Sequence, residues 1–503
     1  MNRQKSLPPS GFPRVPPLVF WTGATLIIGM VFVLASVPAA QAQSNAQTTP
    51  NTQNAQRYSA NLQHVFDYIQ RHYVDEVDPR VVFEGAVNGM FNALGDPYSS
   101  FLPESEMSDM NETTQGNFGG VGLYITAGEP QADGTMKYVE VSAPMEDTPG
   151  WRAGINPMDR ILKISDESTD GLTMNEVLAR LRGRPGDPVT ILIGRGANLE
   201  FPVTIIREVI EVPTTKYAMI GDTGYLKLLT FTPMTAERAK DALAYFGTNN
   251  YKSLILDLRN NYGGLLQSAV DICELFLDSG VVVSTRSRIA LENKVFSARS
   301  PALVPANIPI IVLINRGSAS ASEIVAGALK DRSRAYLVGE RSYGKGSVQQ
   351  VYVMGVTGFK LTTARYYTPS NANIDKIGIP PDREVAYPEF TEEDAEALNR
   401  LLQTNKIPEF ITNNPNAGSV EITAFAQTLR RDYRLDIDVL RRLIRNEQIR
   451  KVIAPVYDLE YDIQLQEAVN ILRSGTYSVL MRSTKTLKTL QDEAAQEEFA
   501  QAS

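Results

Sequence analysis

Apolar residues recur every three or four positions in two stretches between residues 58 and 95, a spacing that predicts two amphipathic helices. Leu62, Val65 and Ile69 lie in the first stretch. Gly95-Asp96-Pro97 ends the second, as glycine and proline commonly do. We therefore expect a small N-terminal helical unit over residues 58–114.

The pattern changes to short apolar strands separated by turns over residues 115–207. The glycine-rich segment GNFGGVGLYI opens this stretch, and DRILKIS and VTILIGR are strand candidates. Met174–Arg182 has the spacing of one amphipathic helix. Together these patterns predict a compact, sheet-rich module.

Continuous apolar strands alternate with helical stretches over residues 208–388. SLILDLR (253–259), IPIIVLIN (308–315) and AYLVG (335–339) are the clearest strand candidates. Such runs are typical of strands buried on both faces, so we predict an α/β core whose sheet is covered by helices on both sides. Residues 389–503 are charged, with apolar residues at helical spacing, and predict a C-terminal helical appendage for packing or oligomerisation.

The first 57 residues have the pattern of an export signal followed by a tether. Leu18–Val37 is almost wholly apolar, basic residues precede it, and Ala40-Gln41-Ala42 offers a cleavage site, so residues 1–42 are predicted to be a signal peptide. The apolar run is also about long enough to span a bilayer, so an uncleaved anchor is the alternative. Either reading places the remaining chain outside the cytoplasm, in the cell envelope. Residues 43–57 lack apolar periodicity and predict a flexible linker.

Composition excludes several kinds of chemistry. The 503-residue chain has a formal net charge of −8 without clustered basic residues, so no nucleic-acid partner is expected. The one cysteine, Cys273, allows neither an intrachain disulfide nor a cysteine-based zinc site. The two histidines, His64 and His72, leave no histidine for a Ser-His-Asp triad or a catalytic metal further along the chain. We predict no metal and no cofactor.

A small-residue segment, Gly317-Ser318-Ala319-Ser320-Ala321-Ser322-Glu323, lies between a predicted strand and a predicted helix. A serine in such a turn can act as a nucleophile, because small neighbours admit a substrate backbone and the helix N-terminus stabilises negative charge. The structural alternative is that Ser320-x-x-Glu323 is only a capping box that starts the helix.

Lys345 lies between glycines in the loop after AYLVG. A lysine there is ordinarily solvated and inert. If the fold buries it, desolvation lowers its pKa and it can act as a general base, and it is the only candidate base for a serine in this histidine-free half of the chain.

The same loop imitates a phosphate-binding loop, because Gly339–Lys345 (GERSYGK) has the spacing G-x-x-x-x-G-K. LILD, ending at Asp257, likewise imitates the metal-binding strand of nucleotide hydrolases. Gly346, however, occupies the position of the required hydroxyl residue, and Val348, Val351 and Val353 predict a strand where a helix is needed. These features disfavour a nucleotide hydrolase.

Arg259-Asn260-Asn261-Tyr262-Gly263-Gly264 directly follows a predicted buried strand. A backbone N–H presented by the paired glycines could complete an oxyanion hole with the N–H of Ala321. The alternative is an ordinary glycine turn.

Several ordered segments resemble the carboxyl-terminal processing peptidases, a family of tail-specific serine proteases with a PDZ domain. The resemblance covers roughly residues 58–385 and rests on five segments: FGGVGLYI (118–125), LRNNYGGLL (258–266), INRGSASASEIVAGALKD (314–331), GKGSVQQ (344–350) and LTTARYYTPSNANIDKIGIPPD (361–382). It implies a ClpP/crotonase-like protease core over residues 208–388 with an inserted PDZ domain over residues 115–207.

The resemblance also implies site residues. The nucleophile falls on Ser320, the base on Lys345, and the glutamine that orients the lysine on Gln349. The oxyanion donors fall on Ala321 and on the pair Gly263 and Gly264, with Gly263 favoured. The remaining implied residues are the carboxylate-binding loop of the PDZ domain and a regulatory arginine: Phe118, Gly119, Gly120, Val121, Gly122 and Arg182.

Two positions depart from the family pattern. Tyr262 occupies a position where the family usually has proline, and Met158 a position where its PDZ segment has glycine.

The expected function is therefore that of an exported serine endopeptidase. It would bind protein and peptide substrates by their exposed C-terminal tails and cleave them with a Ser–Lys dyad. Contact with a membrane would involve only the N-terminal segment, and the helical appendages could mediate homo-oligomerisation. The alternative function is a noncatalytic scaffold whose PDZ-like module gathers exported partners.

Overall fold

The computed structural model describes residues 50–130, 136–196, 198–299, 301–388, 390–450 and 455–502. The predicted signal or anchor at residues 1–42 and the start of the predicted linker lie outside the described residues. The described chain forms two compact units: residues up to Met107 with Gln349–Thr362, and Ser108–Val348 with the residues from Thr363 onward.

The first unit contains helices α1 (Pro50–His72) and α2 (Pro79–Asn92) and strand β1 (Ser100–Leu102). Helix α2 begins at Pro79 because Asp78 caps it, with Oδ1 accepting the Arg80 N–H at 2.8 Å. β1 pairs antiparallel with residues 358–360. Since α1 begins at Pro50, the residues from there to Arg57 are helical and not the flexible linker predicted for them.

The second unit begins at Ser108, within helix α3 (Glu104–Gln115). A sheet module follows this helix. The elements of this module are β2 (Asn117–Gly120), β3 (Leu123–Pro130), β4 (Met136–Pro144), α4 (Pro149–Arg152), β5 (Arg160–Ile164), β6 (Glu167–Ser168), α5 (Met174–Leu181), β7 (Pro188–Arg195), β8 (Leu199–Ile206) and β9 (Glu208–Glu211). Its main sheet has the order β3-β4-β5-β7-β8, with β6 on β5, while β2 pairs with β9. Val177 and Leu181 of α5 pack into its apolar core, which explains the helical spacing predicted there.

A six-stranded sheet forms the centre of the second unit. Its elements are β10 (Thr215–Ile220), β11 (Thr223–Leu228), α6 (Thr235–Thr248), β12 (Ser253–Asp257), α7 (Leu266–Glu274), β15 (Ile310–Ile314), α8 (Ala321–Asp331), β16 (Tyr336–Gly339) and β19 (Arg383–Glu384). The strand order is β10-β11-β12-β15-β16-β19, and every neighbouring pair after β10-β11 is parallel. The α/β prediction is confirmed. Cys273 of α7 is buried here, and burial raises the pKa of its thiol.

Four further strands lie between these elements: β13 (Gly280–Ser287), β14 (Lys294–Ala298), β17 (Ser347–Met354) and β18 (Thr357–Tyr367), and a short 3₁₀ turn spans Ala290–Glu292. In the second unit β13 pairs antiparallel with β14 and with residues 364–367. β17 follows the Lys345 loop directly, where a phosphate-binding loop needs a helix, so the nucleotide-hydrolase alternative is wrong.

The C-terminal segment divides into two parts. Helices α9 (Glu392–Leu402), α10 (Lys406–Asn413), α11 (Ser419–Tyr433) and α12 (Ile437–Arg450) share an apolar core of their own. Helices α13 (Ile463–Arg473), α14 (Tyr477–Arg482) and α15 (Leu487–Ala502) follow. Leu465, Ala468 and Val469 of α13 pack on Ile255 and Ile311 of the central sheet. Because α6, α7 and α8 pack into a separate cluster with the same sheet, α13 supplies a layer of the core and not only an appendage. Among the helices that the structure describes, none is long and apolar enough to cross a membrane.

Candidate active site

Ser320 stands at the turn between β15 and α8 in an unusual backbone conformation. Its φ is 55° and its ψ is −113°, and its side chain is buried. A helix-capping serine normally has extended backbone angles, so capping alone does not account for this geometry. Such conformations cost about 1–3 kcal/mol and cluster at functional sites. The outlier therefore favours the nucleophile reading over the purely structural one.

The Glu323 carboxylate joins the Ser320 turn to the Lys345 loop. It is fully buried, and one oxygen, Oε2, accepts the backbone N–H of Ser320 at 2.8 Å and that of Lys345 at 2.9 Å. The other oxygen, Oε1, accepts the Ser342 hydroxyl at 2.6 Å and the Gly344 N–H at 2.7 Å. Burial raises the pKa of the Glu323 carboxyl, and these hydrogen bonds oppose the rise. The structure thus brings the backbones of Ser320 and Lys345 within two hydrogen-bond lengths of each other.

The Lys345 loop has further links to its surroundings. The Tyr343 N–H donates to the Ser318 carbonyl at 3.0 Å, and the Lys376 N–H donates to the Gly344 carbonyl at 2.7 Å. Lys345 is half-buried and not fully buried. The desolvation on which its predicted basicity depends is therefore only partial in this structure.

Tyr366 of β18 also contacts the nucleophile, although the sequence analysis did not single it out. Its backbone N–H donates to the Gly346 carbonyl at 2.7 Å, and its side chain is buried close to that of Ser320. Burial raises the pKa of the Tyr366 phenol, and the nearby Ser320 side chain opposes the rise. A buried aromatic residue in a strand is ordinary core, so its sequence position carried no signal of this contact.

The glycine pair lies directly against the nucleophile turn. Gly263 has φ of 104°, and a Cβ built there would lie 2.9 Å from both the Ser320 Cβ and the Ala321 nitrogen. The Gly263 N–H donates to Asn261 Oδ1 at 2.9 Å, so it is already engaged. Within the described chain, the N–H groups of Gly264 and Ala321 donate no hydrogen bond. The predicted donors are close together, but Gly264 and Ala321 are the two whose N–H groups are available.

Asn261 and its neighbours fasten the glycine loop to the nucleophile turn. The buried Asn261 side chain donates to the Leu228 carbonyl at 2.9 Å. Its own carbonyl accepts the Ala319 N–H at 3.0 Å and the Ser322 hydroxyl at 2.8 Å. Tyr262, the departure from the family pattern, is 78% exposed and does not pack in the loop. Because Asn261 bonds to Leu228 on one side and to the nucleophile turn on the other, the loop is not an ordinary exposed glycine turn.

Gln349, predicted to orient the lysine, belongs to the first compact unit. Its Nε2 donates to Thr362 Oγ1 at 3.2 Å in that unit. Its role toward Lys345 stays a prediction.

The predicted carboxylate-binding loop of the sheet module is held mainly by backbone contacts. The carbonyls of Gly119, Val121 and Gly122 accept the N–H groups of Gly183, Gly150 and Met145 at 3.1, 2.7 and 2.9 Å, respectively. Strand β3, which follows the loop, is at the end of its sheet and pairs only with β4 among the described residues.

The predicted regulatory arginine touches this loop. The guanidinium carbon of Arg182 lies 5.0 Å from the centroid of the Phe118 ring, within the range of a cation–π contact. Arg182 ends helix α5, and its backbone N–H donates to the Leu178 carbonyl.

A buried serine on a strained strand-to-helix turn lies beside available backbone N–H donors, in the same compact unit as a sheet module with an open edge. This combination is typical of a serine peptidase with a peptide-binding domain. Comparison with known proteins agrees. Residues 222–385 match peptidase family S41, residues 140–195 match a PDZ domain, and residues 21–105 match the activating protease CtpB N-terminal domain.

Two sequence relatives and one solved structure illustrate the similarity. The carboxy-terminal-processing protease of Bartonella bacilliformis is 41% identical over 347 residues, which cover 68% of this chain and 78% of that protein. A probable CtpA-like serine protease of Staphylococcus aureus is 31% identical over 373 residues, 74% of this chain and 73% of that protein. The photosystem II D1 C-terminal processing protease has 29% identity and a TM-score of 0.39, covering 63% of this chain and 84% of that one.

The chain belongs to the carboxy-terminal-processing serine proteases of peptidase family S41 and carries a PDZ domain. This confirms the predicted family, the presence of a PDZ domain and the serine-peptidase class.

Proposed function

We propose that this peptidase cleaves exported proteins near their C-termini with a Ser–Lys dyad, in which Ser320 is the nucleophile and Lys345 the general base. The observation that carries the proposal is the shared Glu323 oxygen, which accepts the backbone N–H of both residues. The sequence has no histidine after His72, so no histidine on these loops competes for the role of base.

In the proposed reaction, Ser320 Oγ forms a bond to the scissile carbonyl carbon while its proton passes to the neutral Lys345 amine. Lys345 returns that proton to the leaving nitrogen as the C–N bond breaks. A water molecule then attacks the acyl-enzyme carbonyl carbon and gives a proton to Lys345, which passes it to Ser320 Oγ as the acyl–Oγ bond breaks and the acid product leaves. Gln349 would hold the lysine amine in place, as the family resemblance suggests.

The oxyanion formed in each addition step would be bound by the N–H of Ala321 and of the Gly263–Gly264 pair. In the geometry described above, Gly264 can donate at once. Gly263 can donate only after the Asn261 side chain releases its N–H.

The PDZ domain would capture the substrate's C-terminal tail. The terminal carboxylate of the tail would bind the backbone of the loop formed by Phe118, Gly119, Gly120, Val121 and Gly122. The rest of the tail would add as a strand along the open edge of β3. Occupancy of this groove would then be sensed by Arg182, whose guanidinium lies on the Phe118 ring at the start of the loop.

The dyad is tested by turnover of an unstructured protein substrate. We expect Ser320→Ala and Lys345→Ala each to abolish cleavage, whereas Lys252→Ala, which alters an exposed lysine of the same unit, leaves it unchanged. Full activity in Lys345→Ala would refute the dyad. A purified chain that binds tails, hydrolyses nothing and takes up no serine-reactive probe at Ser320 would instead be the noncatalytic scaffold.

Arg182→Ala tests the regulatory role. We expect about tenfold slower turnover of a long tailed protein, with tail affinity retained. If a bound tail favours the active arrangement of the protease tenfold through Arg182, that preference is worth about 1.4 kcal/mol and is lost in the variant. Arg184→Ala, which removes an exposed arginine of the same turn, is the matched control. Normal turnover of the tailed protein by Arg182→Ala would mean that the PDZ domain is only a tether.

Location and assembly complete the proposal. The chain is proposed to act in the cell envelope, released after signal cleavage or held by its N-terminal segment. N-terminal sequencing of protein from cells separates these: a start near Gln43 means cleavage, and an intact Met1 region means an anchor. The exposed apolar residues Tyr58, Leu62 and Val65 of α1 support homo-oligomerisation through helical segments. Leu62→Lys should then lower the molar mass measured by light scattering.

A further inference from the structure

Arg259 stands between the buried strand β12 and the glycine loop beside the nucleophile. Its side chain is buried, and all five of its guanidinium N–H groups are used. Its Nε and one N–H of Nη2 donate to the two oxygens of Asp257, at 3.0 and 2.7 Å. The remaining three donate to Asp462 Oδ1 at 2.7 Å, Asp462 Oδ2 at 2.6 Å and Gln464 Oε1 at 3.0 Å. The arginine is therefore held from two opposite directions.

The second set of partners comes from a distant part of the chain. Asp462 caps α13, where its Oδ1 also accepts the Leu465 N–H at 3.0 Å and the Tyr387 hydroxyl at 3.3 Å. Gln464 is fully buried and donates through Nε2 to the Val385 carbonyl at 2.8 Å. These contacts hold Asp462 and Gln464 through bonds other than those to Arg259. The match to the peptidase family model covers residues 222–385, so Asp462 and Gln464 lie outside the segment that this model describes.

Charge makes this arrangement sensitive to Asp462. Asp257 is fully buried; burial alone would raise the pKa of its carboxyl, but Arg259 and Lys227 hold it at about 2. One guanidinium thus bridges two carboxylates. Loss of the Asp462 charge, as in Asp462→Asn, would leave one N–H group of a buried arginine facing a donor and would remove one of its two carboxylates, which is costly unless the arginine moves.

Movement of Arg259 would reach the active site through the short loop that follows it. The Leu258 carbonyl accepts the Ser318 hydroxyl at 2.8 Å, and the Asn261 carbonyl accepts the Ala319 N–H and the Ser322 hydroxyl. These bonds lie on either side of Arg259 and lead directly into the nucleophile turn. Gly263 and Gly264 follow within a few residues.

We propose that Asp462 is a positioning residue for catalysis: through Arg259, the N-terminal end of α13 holds the glycine loop where its N–H groups meet the developing oxyanion. This role rests on the proposed function of that loop. It assigns the C-terminal segment a part in turnover, in addition to its packing on the central sheet.

The test uses the full chain carrying Asp462→Asn, with Glu467→Gln as the matched control. Glu467 lies on the same helix and forms an ion pair with Arg383 at 2.9 Å, so the control also removes one carboxylate of α13 without touching Arg259. kcat and KM are measured on a short unstructured peptide. Hydrogen exchange is followed in the peptide that covers residues 258–264.

For Asp462→Asn we expect kcat to fall at least about tenfold with KM changed less than about twofold, because a displaced oxyanion donor acts on the transition state and not on substrate binding. Exchange in residues 258–264 should be faster than in the wild type, and Glu467→Gln should match the wild type in both measurements. If Asp462→Asn does not fold, Tyr387→Phe removes only the hydroxyl bond to Asp462 and should give a smaller fall in kcat, of about twofold to fivefold, in the same direction.

Loop exchange in Asp462→Asn equal to that in Glu467→Gln would overturn the positioning role, whatever the turnover. The positioning role would also be overturned if a serine-reactive probe labels a smaller fraction of Asp462→Asn molecules and this fraction accounts for the whole loss of turnover. If the wild type itself cleaves no peptide, the proposed function fails, and the exchange comparison still decides whether Asp462 positions the loop.

Discussion

Two glycine-rich loops in this protein are proposed to present backbone N–H groups to a negatively charged oxygen, and they are held in different ways. The loop ending in Gly263 and Gly264 is fixed by buried side chains, Arg259 and Asn261, which bond to several distant elements. The loop from Phe118 to Gly122 is fixed by backbone contacts and by the Thr148 hydroxyl, which donates to the Gly122 carbonyl at 3.0 Å.

The difference corresponds to the two tasks. An oxyanion exists only briefly, in the tetrahedral intermediate and the transition states around it, so its donors must be in place beforehand and must not relax. A tail carboxylate is a stable ligand, and a loop that binds it can adapt as the tail arrives. Buried charged and amide side chains give the first kind of loop its rigidity, whereas backbone contacts are sufficient for the second.

Among variants that leave Ser320 and Lys345 in place, the largest effect is expected from Glu323→Gln, which alters the carboxylate shared by the catalytic loops. In the wild type both Glu323 oxygens accept hydrogen bonds. A glutamine would replace one oxygen by an NH₂ group, which cannot accept, so the Ser320 and Lys345 backbones should move apart. We predict about a 100-fold fall in kcat, comparable to the loss of an oxyanion donor. Steady-state kinetics on a short peptide measure it.

Glu211→Gln is the control for this variant. Glu211 forms an ion pair with Arg238, with 2.7 Å between Oε1 and Nε, and it has no contact with the Ser320 turn or the Lys345 loop among the described hydrogen bonds and ion pairs. Equal activity in the two variants would show that the shared carboxylate has no part in aligning the dyad.

Gly263→Ala should damage the catalytic loop nearly as much. The new Cβ would lie 2.9 Å from the Ala321 nitrogen and the Ser320 Cβ, and 2.8 Å from the Ala319 carbonyl, at a φ of 104°. Because these neighbours are rigid, we predict a fall in kcat of about tenfold to 100-fold. Slower labelling of Ser320 by a serine-reactive probe should accompany it, and unchanged labelling would contradict the rigidity assigned to this loop.

Gly122→Ala makes the corresponding change in the PDZ loop and should have a different outcome. Its Cβ would lie 2.3 Å from Thr148 at a φ of 75°, so the carboxylate loop must shift. We predict at least about tenfold weaker binding of a tail peptide, equivalent to about 1.4 kcal/mol, with hydrolysis of a short tailless peptide unchanged. Calorimetry and the peptide assay separate the two effects. Equal loss in both assays would mean that the two loops are not independent.

Met158→Gly is expected to have the smallest effect. Met158 occupies a position where the family has glycine, and it adopts a φ of 68°, which side chains disfavour. We predict that glycine there stabilises the PDZ domain by up to about 1 kcal/mol, because relief of this strain is partly offset by the greater chain entropy of glycine. Thermal unfolding measures the gain. A lower unfolding temperature would show that the 53% exposed Met158 side chain contributes packing that outweighs its strain.

The sequence predicted the elements that depend on local patterns. The apolar runs of β12, β15 and β16 and the turn before α8 could be located because strand length and small-residue turns leave a signature in the chain. Ser320 and Lys345 could be paired because the absence of histidine after His72 and a family resemblance point to the same two loops.

Contacts between distant residues left no such signature. Asp462 meets Arg259 across 203 positions, and nothing in an acidic residue before an amphipathic helix tells which arginine it will reach. Glu323 was visible only as a helix-capping residue, since its bonds to Ser342, Gly344 and Lys345 depend on the approach of two loops. Likewise, the apolar spacing of α13 predicted a helix but not the sheet face that it covers.

The position of α13 in the chain has a consequence for timing. A polypeptide is made and exported from its N-terminus, and domains fold as they emerge. The central sheet, with Ser320 and Lys345, is therefore complete in sequence while Leu465 and Val469, which cover one of its faces, are still to come. Until these residues are made, Ile255 and Ile311 have no apolar cover from α13, and Arg259 has one of its three side-chain partners, Asp257. In a chain synthesised in this order, the support that α13 gives to the central sheet and to Arg259 is expected only after residue 469 has been made, so the catalytic loops should reach their final geometry late in synthesis.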